Sequence, residues 1–152
     1  MKRTECYACF VVESAGTYQE PLGFVAAQNS DFDPDDLTRI LKAKPFRVRR
    51  MGAPRRSGHG LYPYSKWYGF RQDKPDWDAA EQCARIVQGM RPLIPALQAF
   101  RENFNVEFTL LIVVRIGNGV VPVLHFNREV IEFCSETGTE IGINLQVYDE
   151  DD

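Results

Sequence analysis

The chain has 152 residues, 44% of them hydrophobic and 12% aromatic, with a formal charge of −3. That is the size and composition of one globular domain, 1–152, able to bury a core without staples. No apolar run approaches the ~20 residues of a membrane span, and MKRTECYACF lacks the apolar stretch of a signal peptide; the expectation is a cytoplasmic protein with no membrane contact.

CYACFVV (6–12) alternates as a first strand, with Cys6, Ala8, Phe10 and Val12 on one face and Tyr7, Cys9 and Val11 on the other. Cys6 and Cys9 have the C-x-x-C spacing of redox and zinc sites. On a strand, however, residues three apart point to opposite faces, and no helix N-terminus follows to lower a thiol pKa. No second pair accompanies them, and the four cysteines are expected as buried thiols. Ser14 to Gln28 holds Gly16, Pro21 and Gly23 and reads as a loop or hairpin excursion, with GFVAA (23–27) a short strand.

Asp33-Pro34-Asp35-Asp36 starts a helix. Asp33 caps, Pro34 suits the first turn, and the acids favour the positive end of the dipole. Leu37, Ile40 and Leu41 give its apolar stripe, and Pro45 ends it by Lys44. FRVRRM (46–51) alternates as a strand, 52–64 is loop, and KWYGF (66–70) is strand. Asp76 is the expected cap of a helix starting at Trp77. Pro92 and Pro95 divide that helix, leaving a second segment over 93–103 that buries Leu97 and Phe100.

VEFTLLIVVR (106–115) is the most hydrophobic strand. Gly117-Asn118-Gly119 is a hairpin signal, with VVPVLHF (120–126) as the returning strand. Asn127 caps a short helix that Gly138 ends, and IGINLQVY (141–148) is the last strand. The order β-α-β-β-α-β-β-α-β predicts an α+β fold: a mainly antiparallel sheet with about three helices packed on one side.

Charge is unevenly spread. From Leu37 to Gln72 there are ten Lys/Arg and no Asp/Glu; the other eight basic and all 21 acidic residues lie elsewhere, so a +10 segment faces a −13 remainder. Five arginines fall between Arg47 and Arg56, followed by Tyr62, Tyr64, Trp67, Tyr68 and Phe70. Arginine forks suit phosphate and aromatic rings suit bases. The candidate ligand- or partner-binding residues are Arg49, Arg55, Arg56, His59 and Trp67. The acidic total disfavours nucleic acid. Three readings stay open: a surface for a protein or small anion, a nucleic-acid surface, and a segment that pairs with the protein's own carboxylates, such as those at 31–36 and 149–152, or stays solvated.

Catalysis finds little footing. His59 and His125 are the only histidines, and neither a G-x-S-x-G elbow nor a P-loop Lys-Ser/Thr is present. A small hydrolase using His59 is the enzymatic alternative; no metal or cofactor is expected.

Several separated pieces match one pattern: CYACFVV, FDPDDLTRILKAKPFRVRRMGAPRR, the Trp67 strand, the GNG at 117–119, and FNREVIEFCSETGTEIGINLQVYDE. In these the chain resembles a bacterial family of domains of unknown function, the four-two-seven-nine family of that series. The family's K/R-G-x-P-R element stands here as Arg50-Met51-Gly52-Ala53-Pro54-Arg55. The excursion at 13–30 and an Asn-Arg in place of Ser-Pro at the last helix depart from its pattern. The resemblance implies an intracellular bacterial α+β domain and no established activity. With no catalytic constellation, the expected role is a non-enzymatic binding protein with a protein partner; immunity-type inhibition of a toxin is one such role. The alternative is an anion, nucleotide or nucleic-acid binder using 47–70.

Overall fold

The computed structural model describes residues 3–72, 75, 77–122 and 124–147. The chain order is β1 (Glu5–Ser14), β2 (Gly16–Gln19), β3 (Gly23–Ala26), α1 (Pro34–Leu41), β4 (Arg47–Arg49), β5 (Lys66–Gly69), α2 (Ala79–Met90), α3 (Ile94–Asn103), β6 (Val106–Ile116), α4 (Arg128–Thr137) and β7 (Thr139–Val147). A five-stranded sheet runs β4-β5-β1-β6-β7, with β2 and β3 as a separate hairpin. All its pairings are antiparallel except β6 with β7. The fold is α+β and mostly antiparallel, and α2 and α3 are the two halves of the proline-divided helix.

The even residues of β1 build the core face as their alternation predicts. Cys6, Ala8, Phe10 and Val12 join Trp67 of β5 and Phe108, Leu110, Ile112 and Val114 of β6 under the helices. Phe10 packs on Phe108 at 5.6 Å and on Phe133 of α4 at 6.4 Å. The odd residues face the helix-free side, where the candidate site lies. Cys6 and Cys9 thus sit on opposite faces, and burial pushes the Cys9 thiol up to about 11 against the opposing charges of Arg71, Lys66 and Arg47.

Local chemistry sets the helix ends. Asp33 accepts from the Asp35 amide at 2.9 Å and Asn127 from the Val130 amide at 2.9 Å. Gly138 ends α4 with φ 68°; a Cβ there would run into the Arg101 guanidinium, which donates to the carbonyls of Thr137 and Gly138 at 3.0 and 2.8 Å. The cap of α2 is Asp78, accepting from Glu81 N at 2.9 Å, and the helix starts at Ala79, not Trp77. Asp76, the expected cap, lies outside the described residues. Pro92 sits in a 3-10 turn (Arg91–Leu93) and Pro95 in the first turn of α3, positions where the missing N–H costs nothing.

The expected return strand at 120–126 does not form among its described residues. Gly117-Asn118-Gly119 does turn, with Val120 N donating to Gly117 O at 3.1 Å. Thr4 Oγ1 clamps it, accepting from Gly117 N at 2.9 Å and donating to Gly117 O. But β6 has no free edge: β1 takes one side and β7 the other. The chain instead crosses over through α4 to reach β7, as a parallel pairing requires.

The sheet has one short side that a helix completes. β5 ends at Gly69, opposite Phe10, so β1 before that point lacks a strand on its β5 side among the described residues. Gln82 of α2, buried, fills the gap. Its Oε1 accepts from Ala8 N at 2.9 Å and its Nε2 donates to Cys6 O at 3.0 Å. Gln82→Met keeps the side-chain length but orphans a buried donor and acceptor, each worth about 1–3 kcal/mol. We expect urea denaturation to show a loss of about 2–4 kcal/mol; a loss under about 0.5 kcal/mol would mean that water replaces the side chain.

Candidate functional site

The segment between β4 and β5 is ordered by its own backbone bonds. Gly52 N donates to Tyr62 O at 2.9 Å, Tyr62 N to Ala53 O at 2.9 Å, and Arg55 N to Gly60 O at 3.0 Å, while Pro54 bridges Leu61. At the tip, Gly58 and Gly60 have φ of 77° and 82°, values at which a side chain is strained. The base of this arm is fixed by Ser65, whose Oγ accepts from Met51 N at 3.1 Å.

Between the arm and the edge strand lies a cleft of about 580 Å³, walled by Arg47, Arg49, Arg50, Arg56 and Arg71 with Phe46 and Tyr62 among its other residues. The rings hold the guanidiniums in place. Arg71 lies 4.0 Å from the centre of the Phe46 ring, Arg49 5.4 Å from that of Tyr62, and Arg47 5.6 Å from that of Tyr68. Arg49 also donates to the Tyr64 hydroxyl at 2.6 Å. Alternation explains part of this set: Arg47 and Arg49 are cross-strand neighbours of Tyr68 and Lys66, on the helix-free face.

Among the described residues, self-neutralisation accounts for a minority of the charge. Arg50 pairs with Asp33 at 2.8 Å and Asp35 at 2.7 Å, Lys66 with Glu13 at 3.1 Å, and Arg39 with Asp36. Among the described residues, Arg47, Arg49, Arg56 and Arg71 have no ion pair. The carboxylates at 31–36 thus occupy one arginine of the cleft, and those at 149–152 lie outside the described residues.

Of the sequence candidates, Arg49 and Arg56 line the cleft. Arg55 stands outside it, with Nε donating to Leu61 O at 3.3 Å and its guanidinium over Tyr62. His59 is exposed near the tip; its backbone N–H donates to Ser57 Oγ at 3.3 Å. Trp67 is fully buried on the core face, its Nε1 donating to Thr38 Oγ1 of α1 at 3.1 Å, so it braces β5 against α1 and presents no ring to solvent. Phe46 and Arg71 escaped the sequence reading. Arg71 lies in the carboxylate-free segment, but its approach to Phe46 depends on the turn after β5, where Phe70 has φ 64°.

The family model of a domain of unknown function, DUF4279, matches residues 4–148. The chain belongs to this family. No curated protein and no solved structure matches it. In this DUF4279 chain the Arg50–Arg55 element contributes Arg50, Ala53 and Pro54 to the cleft wall. Among the described residues, no helix is long and apolar enough to cross a membrane and no cluster of three or more metal-ligating side chains occurs.

Asp33 reports on the base of the arm. The Asp35 amide and then Arg50 hold its carboxyl below the ordinary aspartate value. A depressed acid stabilises the fold above its unfolded pKa and loses that contribution as pH falls through the folded value. Arg50→Ala should therefore raise the Asp33 pKa by NMR titration. It should destabilise at neutral pH by less than about 1 kcal/mol, because the pairs are exposed. That difference from wild type should vanish below the aspartate range; a difference that persists there would mean Arg50 acts through packing.

Proposed function

We propose that this DUF4279 protein is a non-enzymatic binding protein that receives a compact, multiply charged anion of the phosphate class in the arginine cleft. The observation that carries the reading is four guanidiniums in one cleft, those of Arg47, Arg49, Arg56 and Arg71, without an ion pair among the described residues, three of them stacked on aromatic rings. Planar forks matched to phosphate or carboxylate are the chemistry arginine does best. Stacking against rings means little side-chain freedom is lost on binding. About 580 Å³ is within the range of small-molecule sites.

The cleft lining also bears on chemistry. The described lining residues include arginines, aromatic and apolar side chains but no carboxylate, histidine, serine or cysteine. A site that binds charge without a general base favours recognition over turnover. The same anion carried on a partner protein, a toxin under an immunity-type role included, would enter the same cleft. A partner is required only if the free anion does not suffice.

The test is a thermal-shift titration with pyrophosphate, ATP and a short oligonucleotide at low salt. A free anion at about a hundredfold excess over its Kd should raise Tm by about 5–10 °C. Arg47→Ala and Arg56→Ala should each weaken binding about tenfold or more. Absence of any shift with all three probes would turn the reading toward a protein-borne anion, which pull-down with the products of neighbouring genes would then test. Equal binding by the arginine variants and wild type would overturn the cleft as the site.

A further inference from the structure

A second cleft opens on the same helix-free face. Its volume is about 260 Å³, and its walls include Glu13, Glu107, Tyr18, Phe24, Tyr64 and Lys66. Its sign is opposite to that of the arginine cleft. Glu13 of β1 and Glu107 of β6 are direct cross-strand neighbours, an arrangement of like charges that is destabilising unless something answers it.

Three rings form one side. Tyr18 packs edge-on against Phe24 at 5.5 Å, and Phe24 edge-on against Tyr64 at 5.6 Å. Tyr18 is 83% exposed, so its ring serves no core. The hairpin that carries it is nevertheless anchored. Ala15 N donates to Asn105 O at 3.0 Å, Ala27 N to Ala15 O at 2.8 Å, and Asn105 N to Asn29 O at 2.8 Å. An exposed ring on a pinned hairpin beside carboxylates is a prepared surface.

We propose that this cleft binds an organic cation, an alkylated ammonium group, between the Tyr18–Phe24–Tyr64 rings and the Glu107 carboxylate. Ring faces attract cations but offer no hydrogen bonds, so they favour a weakly hydrated, alkylated ion over a hard metal ion. Two carboxylates without further ligands also fall short of a calcium or magnesium shell.

The protein's own ammonium does not fill the place. Lys66 Nζ bonds Glu13 at 3.1 Å and stands 5.0 Å from the centre of the Tyr68 ring, against 6.0 Å for Tyr64. It answers Glu13, whereas Glu107 has no ion pair among the described residues. Partial desolvation, then Glu13 and Glu140, raise the Glu107 carboxyl pKa, and Arg101 only partly opposes them. Lys66 and Arg49 both stand near the Tyr64 ring, at 6.0 and 5.9 Å from its centre, so among the described residues it is beside Glu107 that the cleft lacks positive charge.

The experiment is an NMR titration of the full chain with tetramethylammonium, n-butylammonium and sodium chlorides at equal ionic strength. Tetramethylammonium should give saturable shifts at Glu13, Gly16, Tyr18, Phe24 and Glu107, and sodium should not. Tyr18→Ala and Glu107→Gln change exposed side chains, and their amide spectra report that the fold is kept. Each should weaken binding about two- to fivefold. Inorganic phosphate, titrated separately, should shift arginine-cleft amides equally in wild type and both variants, so failure here is distinct from failure of the anion site. No saturable shift, the same shifts with sodium, or wild-type affinity in both variants would overturn the proposal. Tighter binding of n-butylammonium, which keeps three hydrated N–H donors, than of tetramethylammonium would overturn the preference for a fully alkylated, weakly hydrated ion.

Discussion

Two buried serines hold the arm between β4 and β5 to the sheet. Ser14 ends β1 and Ser65 precedes β5. Ser14 N donates to Ser65 O at 3.0 Å, Ser65 N to Ser14 Oγ at 2.9 Å, and Ser14 Oγ to Ser30 O at 2.6 Å. Ser65 Oγ in turn accepts from Met51 N. Both ends of the arm at 50–65 therefore meet at one buried polar junction, and the segment leading into α1 joins it through Ser30. Buried polar groups of this kind are costly when left unpaired. The arm that walls the arginine cleft is thereby coupled to the sheet.

From that junction a row of charges crosses the helix-free face. Arg49, Lys66, Glu13 and Glu107 are successive cross-strand neighbours on β4, β5, β1 and β6. Two of the three contacts in the row are like-signed. The favourable one, Lys66 with Glu13, sits in the middle, where burial, pressing the Lys66 pKa down, is outweighed by Tyr68 and Glu13 so that the ammonium is kept. An order with alternating signs would have satisfied every neighbour. This order concentrates unanswered charge at the two ends, positive beside the arm and negative beside the β2–β3 hairpin. Local unfavourable terms that persist in a folded protein are where function is to be sought.

What was legible in the sequence was local. Asp33-Pro34 and Asn127 name their helix starts because capping involves residues two or three apart, and Gly138 names an end because α4 finishes in the left-handed region. Alternation identified the faces of β1. What failed needed knowledge of the other side of a pairing. The hairpin signal at Gly117-Asn118-Gly119 was real as a turn, but strand 120–126 needed an edge of β6 that β7 already held. Trp67 looked like a surface aromatic beside arginines, yet its position in register with Val12 and Val48 turns it into the core. The arm read as a loop because its rungs pair residues without hydrophobic periodicity. The second cleft was out of reach altogether: its members at 13, 18, 24, 64 and 107 meet only through the β1–β6 register and the docking of a hairpin.

Tyr64 stands at the boundary between the two clefts, and its two ends belong to different chemistries. Its hydroxyl accepts from Arg49, on the arginine side. Its ring meets Phe24, on the carboxylate side. One side chain thus orders a guanidinium by hydrogen bonding and closes an aromatic wall by its edge. Replacing it disturbs both sites at once and distinguishes neither. Arg56 and Glu107, on walls that the clefts do not share, separate them, because each carries a charge that only its own cleft needs.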